Sequence, residues 1–368
     1  MFKPQYTINI PPRMVLIRRL YPLIRPTSAV MSYLPCVLFA RGPHYSGRFI
    51  PSLPMSSSSD VYPMNRKYVP RRAVLYVPGN DERKLSKIPS LNVDCAVMDC
   101  EDGVALNRKV EARETIRRML DKLNFGRSEC CVRFNSVSSG LMEEDIKAVF
   151  SAGKLPQTIM IPKVNSVQEL QVLSKLLDSS LRDRDIVEKL SLVIFIESTL
   201  ALLDLKDICR KGVELSIRSK IFSLDGLVFG SDDFCADIGA IRSKDSRELL
   251  YARQKIVTTA KAFRLQAIDM VHIDYKDQES LRQQAVEGAS MGYTGKQVIH
   301  PSQIEIVQEA FCPNQEKIQW ARELIQAFEQ HQTSGKGAFT FRGEMIDMTL
   351  LLQAKNIVQL AESIQTKS

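Results

Sequence analysis

Glu197 follows directly on the apolar run Leu192–Ile196, and Asp233 comes just after the run "GLVFG" at residues 226–230. Each carboxylate therefore stands where a strand buried on both faces would leave the core. Two acids aimed at one point repel unless a proton or a cation lies between them. Oxygen donors favour Mg2+ or Mn2+ over zinc, and Mg2+ commonly takes one or two protein carboxylates. The alternative is that each acid caps its own following segment, Glu197 the helix "STLALLDLKDICR" and Asp233 its loop. Asp232 is a rival ligand, and Glu101 and Asp102 in "MDCEDG" are further acids suited to holding metal-bound water.

Other side chains gather at similar places. Arg133 ends the run "CCVRF", where a guanidinium can grip a carboxylate through two parallel N–H bonds or pair with Asp99 or Glu101. Arg83 and Lys87 in "NDERKLSK" have i, i+4 spacing at the start of a helix. They suit phosphate or carboxylate groups of a ligand, or else form a solvated face. His272 and His300 also stand at strand ends; a structural role beside Pro301 is favoured for the His300 ring. The backbone of Gln297 and Val298 lies where a bound cofactor would approach. Asp347 in "EMIDMTLL" is an acid among apolar residues. Burial would raise its pKa and make it a better base, but Asp is also a favoured N-cap for the amphipathic stretch after it.

These positions only matter if something brings them together. Eight short apolar runs, 73–77, 94–98, 130–134, 159–162, 192–196, 226–230, 267–271 and 296–299, alternate with helix-like segments such as "SRELLYARQKIVTTAKAFRL". Strand–helix alternation implies a parallel sheet, and eight units imply a (β/α)8 TIM barrel, whose chemistry sits at the carboxyl ends of its strands. A doubly wound open sheet is the alternative, but "VPGNDERK" after the first run lacks the glycine-rich dinucleotide loop.

The net charge is +8, yet it is unevenly spread. Residues 1–66 carry eight Lys/Arg and one acid, which leaves 42 basic and 41 acidic residues in 67–368. The body has no basic excess, so nucleic acid is not an expected partner. No run reaches the roughly 20 apolar residues of a membrane span. The Arg-rich, nearly acid-free start, with "MVLIRRLYPLIRPTSAVMSYL", has the composition of a mitochondrial transit peptide followed by a disordered linker. The eight cysteines form no C-x-x-C pair, which fits a reducing compartment without structural disulfides or zinc.

The segments "LYVPGND", "MDCEDGVALNRKVEAR", "VRFNS", "IMIPKV", "FIES", "FGSDDF" and "GKQVIHP" follow the order and spacing of the citrate lyase β-subunit-like, or HpcH/HpaI aldolase, family. The chain resembles that family from about residue 70 to its C-terminus. The resemblance implies a TIM barrel over 67–311 and a C-terminal helical extension over 312–368 that contributes to a neighbouring subunit's active site, in a homotrimer. It implies Mg2+ on Glu197 and Asp233, and an acyl-CoA substrate contacted by Tyr76, Arg83, Lys87, Arg133 and the backbone at Gln297 and Val298. Position 83 often holds lysine in relatives; arginine keeps the charge but not the geometry. "FGSDDF" replaces a more usual Gly-Glu pair, so the matching ligand is Asp233 rather than Asp232. The family's catalytic acid falls on Asp347. The implied reaction is retro-aldol-like cleavage of (3S)-citramalyl-CoA to acetyl-CoA and pyruvate, with malate or methylmalate synthase chemistry as a possible side activity. Two rival readings are a non-catalytic β-type subunit that binds an acyl carrier, and a metal-dependent hydrolase, which would usually gather more histidines.

Overall fold

The computed structural model describes residues 68–332 and 339–365. The expected transit peptide lies outside the described residues. Eight strands close in sequence order into a barrel: β1 (Ala73–Pro78), β2 (Cys95–Asp99), β3 (Glu129–Arg133), β4 (Thr158–Ile161), β5 (Leu190–Ile196), β6 (Phe222–Phe229), β7 (Gln266–Asp269) and β8 (Gly295–Val298). Every neighbouring pair is parallel. Helices follow the strands, among them 109–122, 167–180, 205–218, 250–262 and 278–291.

All eight expected runs are strands, and the reason for their unbroken apolar character is now visible. Val74, Cys95, Val97, Cys131, Met160, Val193, Phe195, Val228 and Ile268 meet inside the barrel. The alternate residues, such as Leu75, Met98, Val132, Ile159, Ile194 and Leu227, pack under the helices. A strand with two dry faces keeps its period of two but shows no polar alternation. Full burial of each such side chain is worth about 1.5–3 kcal/mol.

β6 starts four residues before its apolar run. Ser223 and Asp225 hide this part of the strand from a hydrophobicity reading. The pairing with β5 slips between Leu192 and Val193, so Asp225 is the extra residue of a bulge. Its carboxylate pairs with the fully buried Arg71. Arg71 also donates from Nε and Nη2 to Glu129 at 2.6 and 2.7 Å, and from Nη2 to Thr158 at 3.1 Å. Glu129 and Thr158 open β3 and β4, so this cluster plugs the amino end of the barrel. A second buried pair, Arg253 with Asp269 at 2.8 Å, ties the helix at 250–262 to the outer face of β7.

The C-terminal extension is not wholly helical. Helices 315–332 and 348–365 pack around Ala321, Leu324, Phe328, Ile346, Leu351 and Ala354. Between them lies an antiparallel hairpin, β9 (Phe339–Phe341) and β10 (Glu344–Ile346). Arg342 and Gly343 turn it with φ of 51° and 88°, the left-handed pair that a two-residue hairpin needs. The seven described cysteines are free thiols, and no described helix is long and apolar enough to cross a membrane.

Removing one partner of a buried ion pair leaves the other charge uncompensated, at a cost of about 3–5 kcal/mol. Arg71→Ala should destabilise the chain by that amount in urea titration, whereas Arg71→Met with Glu129→Gln should lose less than the sum of the two single changes. An unchanged midpoint for Arg71→Ala would mean that the plug does not hold the barrel.

Candidate active site at the carboxyl end of the barrel

Glu197 is the first residue after β5 and is 6% exposed. It does not cap the next helix; Ser198 does, its side chain accepting the Ala201 N–H. The Glu197 side chain is free for another task, and two neighbours fix it. The Lys163 backbone N–H donates to its Oε2 at 2.7 Å. On the other side lies Gly230, where a Cβ would fall 2.3 Å from both Cγ and Oε1 of Glu197. Only glycine allows the carboxylate to lie there. Burial, and then the charges of Asp233 and Glu101, push the Glu197 carboxyl up to about 8, against the Lys163 N–H and the Arg133 charge.

Asp233 is an exposed acid in the first turn of the helix Ser231–Ile238, which begins straight after β6. Partial burial and the charges of Asp102 and Asp232 raise its pKa, while Lys163 and Arg133 oppose the rise. The rival Asp232 is held by Arg242, Nη1 to Oδ1 at 2.7 Å. The charge of Asp233 acts on Glu197 across the ends of the neighbouring strands β5 and β6.

Arg133 makes the ion pairs with Asp99 and Glu101 that one of its sequence readings asked for. Its Nε and Nη2 each donate at 2.7 Å to Asp99, which ends β2. Nη1 lies 2.8 Å from Glu101 Oε2, an ion pair that is not an aligned hydrogen bond. A guanidinium has five N–H groups, so these three contacts leave two for a ligand. Its carbon sits 4.9 Å from the ring centre of Tyr76, which lines the barrel interior beside Phe195.

The other expected residues are distributed around this group. Arg83 and Lys87 are exposed in the loop after β1. The helix there is one turn, Glu82–Leu85, capped by Asp81, so Lys87 falls beyond it and the shared helix face does not exist. Gln297 points into the barrel and donates to the Phe229 carbonyl at 2.9 Å. Val298 faces outward into the core and is fully buried, which leaves its side chain no part in the expected ligand contact. His300 caps the next turn, its Nδ1 2.7 Å from Ser302 Oγ, and stacks on Tyr275. His272 is buried, with no hydrogen-bond partner on Nε2 among the described residues.

Asp347 departs from the buried-acid expectation. It is exposed, and its Oδ1 accepts the Leu350 N–H at 2.9 Å as an N-cap of helix 348–365. Its apolar neighbours explain the mismatch. Met345 and Met348 are themselves 77% and 60% exposed, so within one chain they shield nothing.

Two residues matter more than the sequence reading allowed. Lys163 was visible only as a strand end, yet its Nζ reaches Glu101 Oε1 at 2.8 Å and Asp102 Oδ2 at 3.4 Å. Lys109 is buried and donates to the carbonyls of Cys100 and Glu101 and to Asn135 Oδ1, at 2.7–2.8 Å. It folds the acid-bearing loop after β2 into place. The signal was its spacing, eight residues after Glu101 inside "EDGVALNRK", but nothing local marks that lysine as buried.

The donors fit a hard divalent ion. Asp99, Glu101, Asp102, Glu197 and Asp233 meet two ion-pairing cations, Arg133 and Lys163. That surplus of negative charge around one buried carboxylate is what a cation relieves. Among the described residues no three His, Cys, Asp or Glu gather as a ready metal cluster; Mg2+ commonly needs no more than one or two protein carboxylates.

The Glu197 carboxyl, ordinarily near 4.5, is held to about 8 in the fold. Between those values the folded chain keeps a proton that the unfolded chain has released. Stability must therefore fall as pH rises through this window, by at most about 1.4 kcal/mol per pH unit from this group. Chelator-treated protein should lose melting temperature from about pH 5 to pH 8 more steeply than Glu197→Gln; equal slopes would contradict the assignment.

Comparison with known proteins agrees with this architecture. The chain is 55% identical to the mitochondrial citramalyl-CoA lyase of Rattus norvegicus over 303 residues, covering 82% of this chain and 89% of that one. It is 54% identical to the mitochondrial citramalyl-CoA lyase of Homo sapiens over 318 residues, covering 86% and 92%. Among solved structures, it superposes with a TM-score of 0.62 and 27% identity on the CitE protein of Mycobacterium tuberculosis in complex with magnesium, acetoacetate and coenzyme A, covering 80% of this chain and 98% of that one. The match to the HpcH/HpaI aldolase/citrate lyase family model spans residues 72–301, from the barrel's first strand to just past its last, and the chain belongs to that family.

Proposed function

We propose that this chain is a Mg2+-dependent citramalyl-CoA lyase that cleaves (3S)-citramalyl-CoA to acetyl-CoA and pyruvate, as a homotrimer in the mitochondrial matrix. One observation carries the reading: Glu197 is a buried carboxylate, pinned by Lys163 and accommodated by Gly230, beside a second acid and a preorganised arginine. The names of the mammalian relatives, at 54–55% identity, support the substrate and the compartment, and the magnesium and coenzyme A bound by the M. tuberculosis protein support the cofactor and the thioester.

Glu197 and Asp233 would hold the ion. When bound, Mg2+ supplies Lewis-acid polarisation of the tertiary hydroxyl and of the keto oxygen derived from it. The two spare N–H groups of Arg133 suit the enolate oxygen of the leaving acetyl-CoA or the substrate carboxylate, and Asp99 fixes their direction beforehand. Arg83 and Lys87, exposed after β1, suit the phosphates of coenzyme A. Tyr76 and the backbone of Gln297 and Val298 line the approach of the acyl group.

The reaction needs a base for the hydroxyl proton and an acid for the enolate carbon. The hydroxyl O–H electrons become the new C=O bond, the carbon–carbon bond breaks, and the enolate takes a proton at carbon to give acetyl-CoA. We assign these proton transfers to Asp347 of a neighbouring copy. Exposed Met345, Met348 and Leu352 beside it offer an apolar surface for that copy to cover, and cover of this kind would give Asp347 the burial that a base benefits from.

The purified chain with Mg2+ should cleave (3S)-citramalyl-CoA without any other subunit, lose activity in EDTA and regain it with added Mg2+. No cleavage by the metal-loaded chain would overturn the lyase reading. Asp347→Asn should lower kcat by about 100-fold or more while Mg2+ binding is kept; near-normal turnover would move the base elsewhere.

A further inference from the structure

Lys163 lies two residues past the end of β4 and has φ of 53°. A residue with a Cβ pays for that left-handed conformation, which glycine adopts freely. Strain of this kind persists only where the surroundings over-determine it. Here the strained backbone aims the Lys163 N–H at Glu197 Oε2, 2.7 Å away. The side chain runs the other way, its Nζ 2.8 Å from Glu101 Oε1 and 3.4 Å from Asp102 Oδ2. One residue thus ties the loop after β2 to the carboxylate after β5 through two independent groups.

The two oxygens of Glu197 are left in different states. Oε2 is engaged by the N–H. Oε1 lies against Gly230, where a Cβ would overlap it at 2.3 Å, and it accepts no hydrogen bond among the described residues. We propose that Lys163 is a positioning residue for the divalent ion: its left-handed backbone N–H fixes the Glu197 carboxylate through Oε2 and so turns Oε1, which accepts no such bond, to the ion as its ligand atom. The ammonium has the separate task of holding the Glu101–Asp102 loop. The assignment rests on the reading of Glu197 as a metal ligand and adds which atom binds and what selects it.

The backbone and ammonium roles separate by substitution. Lys163→Gly deletes the ammonium but keeps, and relieves, the left-handed backbone. Lys163→Val deletes the ammonium too, and its β-branched side chain drives the backbone out of positive φ, withdrawing the N–H from Glu197. Mg2+ titrated calorimetrically into chelator-stripped full-length protein should bind Lys163→Gly within about threefold of the parent. Lys163→Val should bind about 10–100-fold more weakly, the usual effect of losing a group that orients a metal ligand, with circular dichroism unchanged. If Lys163→Val does not fold, Lys163→Thr, which is also β-branched, takes its place with a loss in the same direction. Equal losses in the glycine and β-branched variants, or parent-like binding by Lys163→Val, overturn the positioning role. A parent chain that binds no Mg2+ overturns the metal reading itself, and this assignment with it.

Discussion

Glu197 brings a negative charge to a place where water reaches little of it. Burial alone would keep such a carboxyl protonated, and the neighbouring acids push in the same direction. Among the described residues no full ion pair relieves this. The surrounding chain offers one backbone N–H and a glycine that makes room, while the nearby cations are committed elsewhere: Arg133 to Asp99 and Glu101, Lys163 to Glu101 and Asp102. The site is therefore well fixed in shape and short of positive charge. That combination is what favours Glu197 as the proposed ligand of a divalent ion.

The two ends of the barrel differ in how their buried acids are partnered. At the amino end, Arg71 meets Glu129, Asp225 and Thr158 together, and a bulge in β6 turns Asp225 towards it. Both carboxylates there are paired directly with that one guanidinium. At the carboxyl end five acids meet two cations. An excess of one sign is tolerated there because the strand ends open towards solvent and ligand, as the active face of such barrels does. Between the two ends lies the apolar interior layer of Val74, Val97, Cys131, Met160, Val193, Phe195 and Val228, which the same strands supply.

The C-terminal extension obeys a different constraint. Its two helices have a small core of their own, and it leaves Met345, Met348 and Leu352 uncovered next to Asp347. As an N-cap, Asp347 is held in orientation by the helix it starts. A carboxylate at the tip of a rigid helix is well suited to being presented to something outside its own chain.

The sequence alone determined the barrel. Its eight runs are apolar because both faces of each strand are dry, a local property that survives without any knowledge of neighbours. The strand ends were legible for the same reason: Glu197 and Arg133 stand at the point where an apolar run stops. What pairs with what was not legible. The capping reading of Glu197 failed because Ser198 takes that role, and the burial expected of Asp347 failed because an apolar neighbourhood in sequence is not an enclosed one in space. Lys163, Lys109 and Gly230 became meaningful only when β2, β4, β5 and β6 were set side by side. Their roles consist of a backbone direction, an ammonium reaching three oxygens, and a missing carbon. None of these leaves a local pattern, because each is defined by atoms more than five residues away that only barrel closure brings into contact.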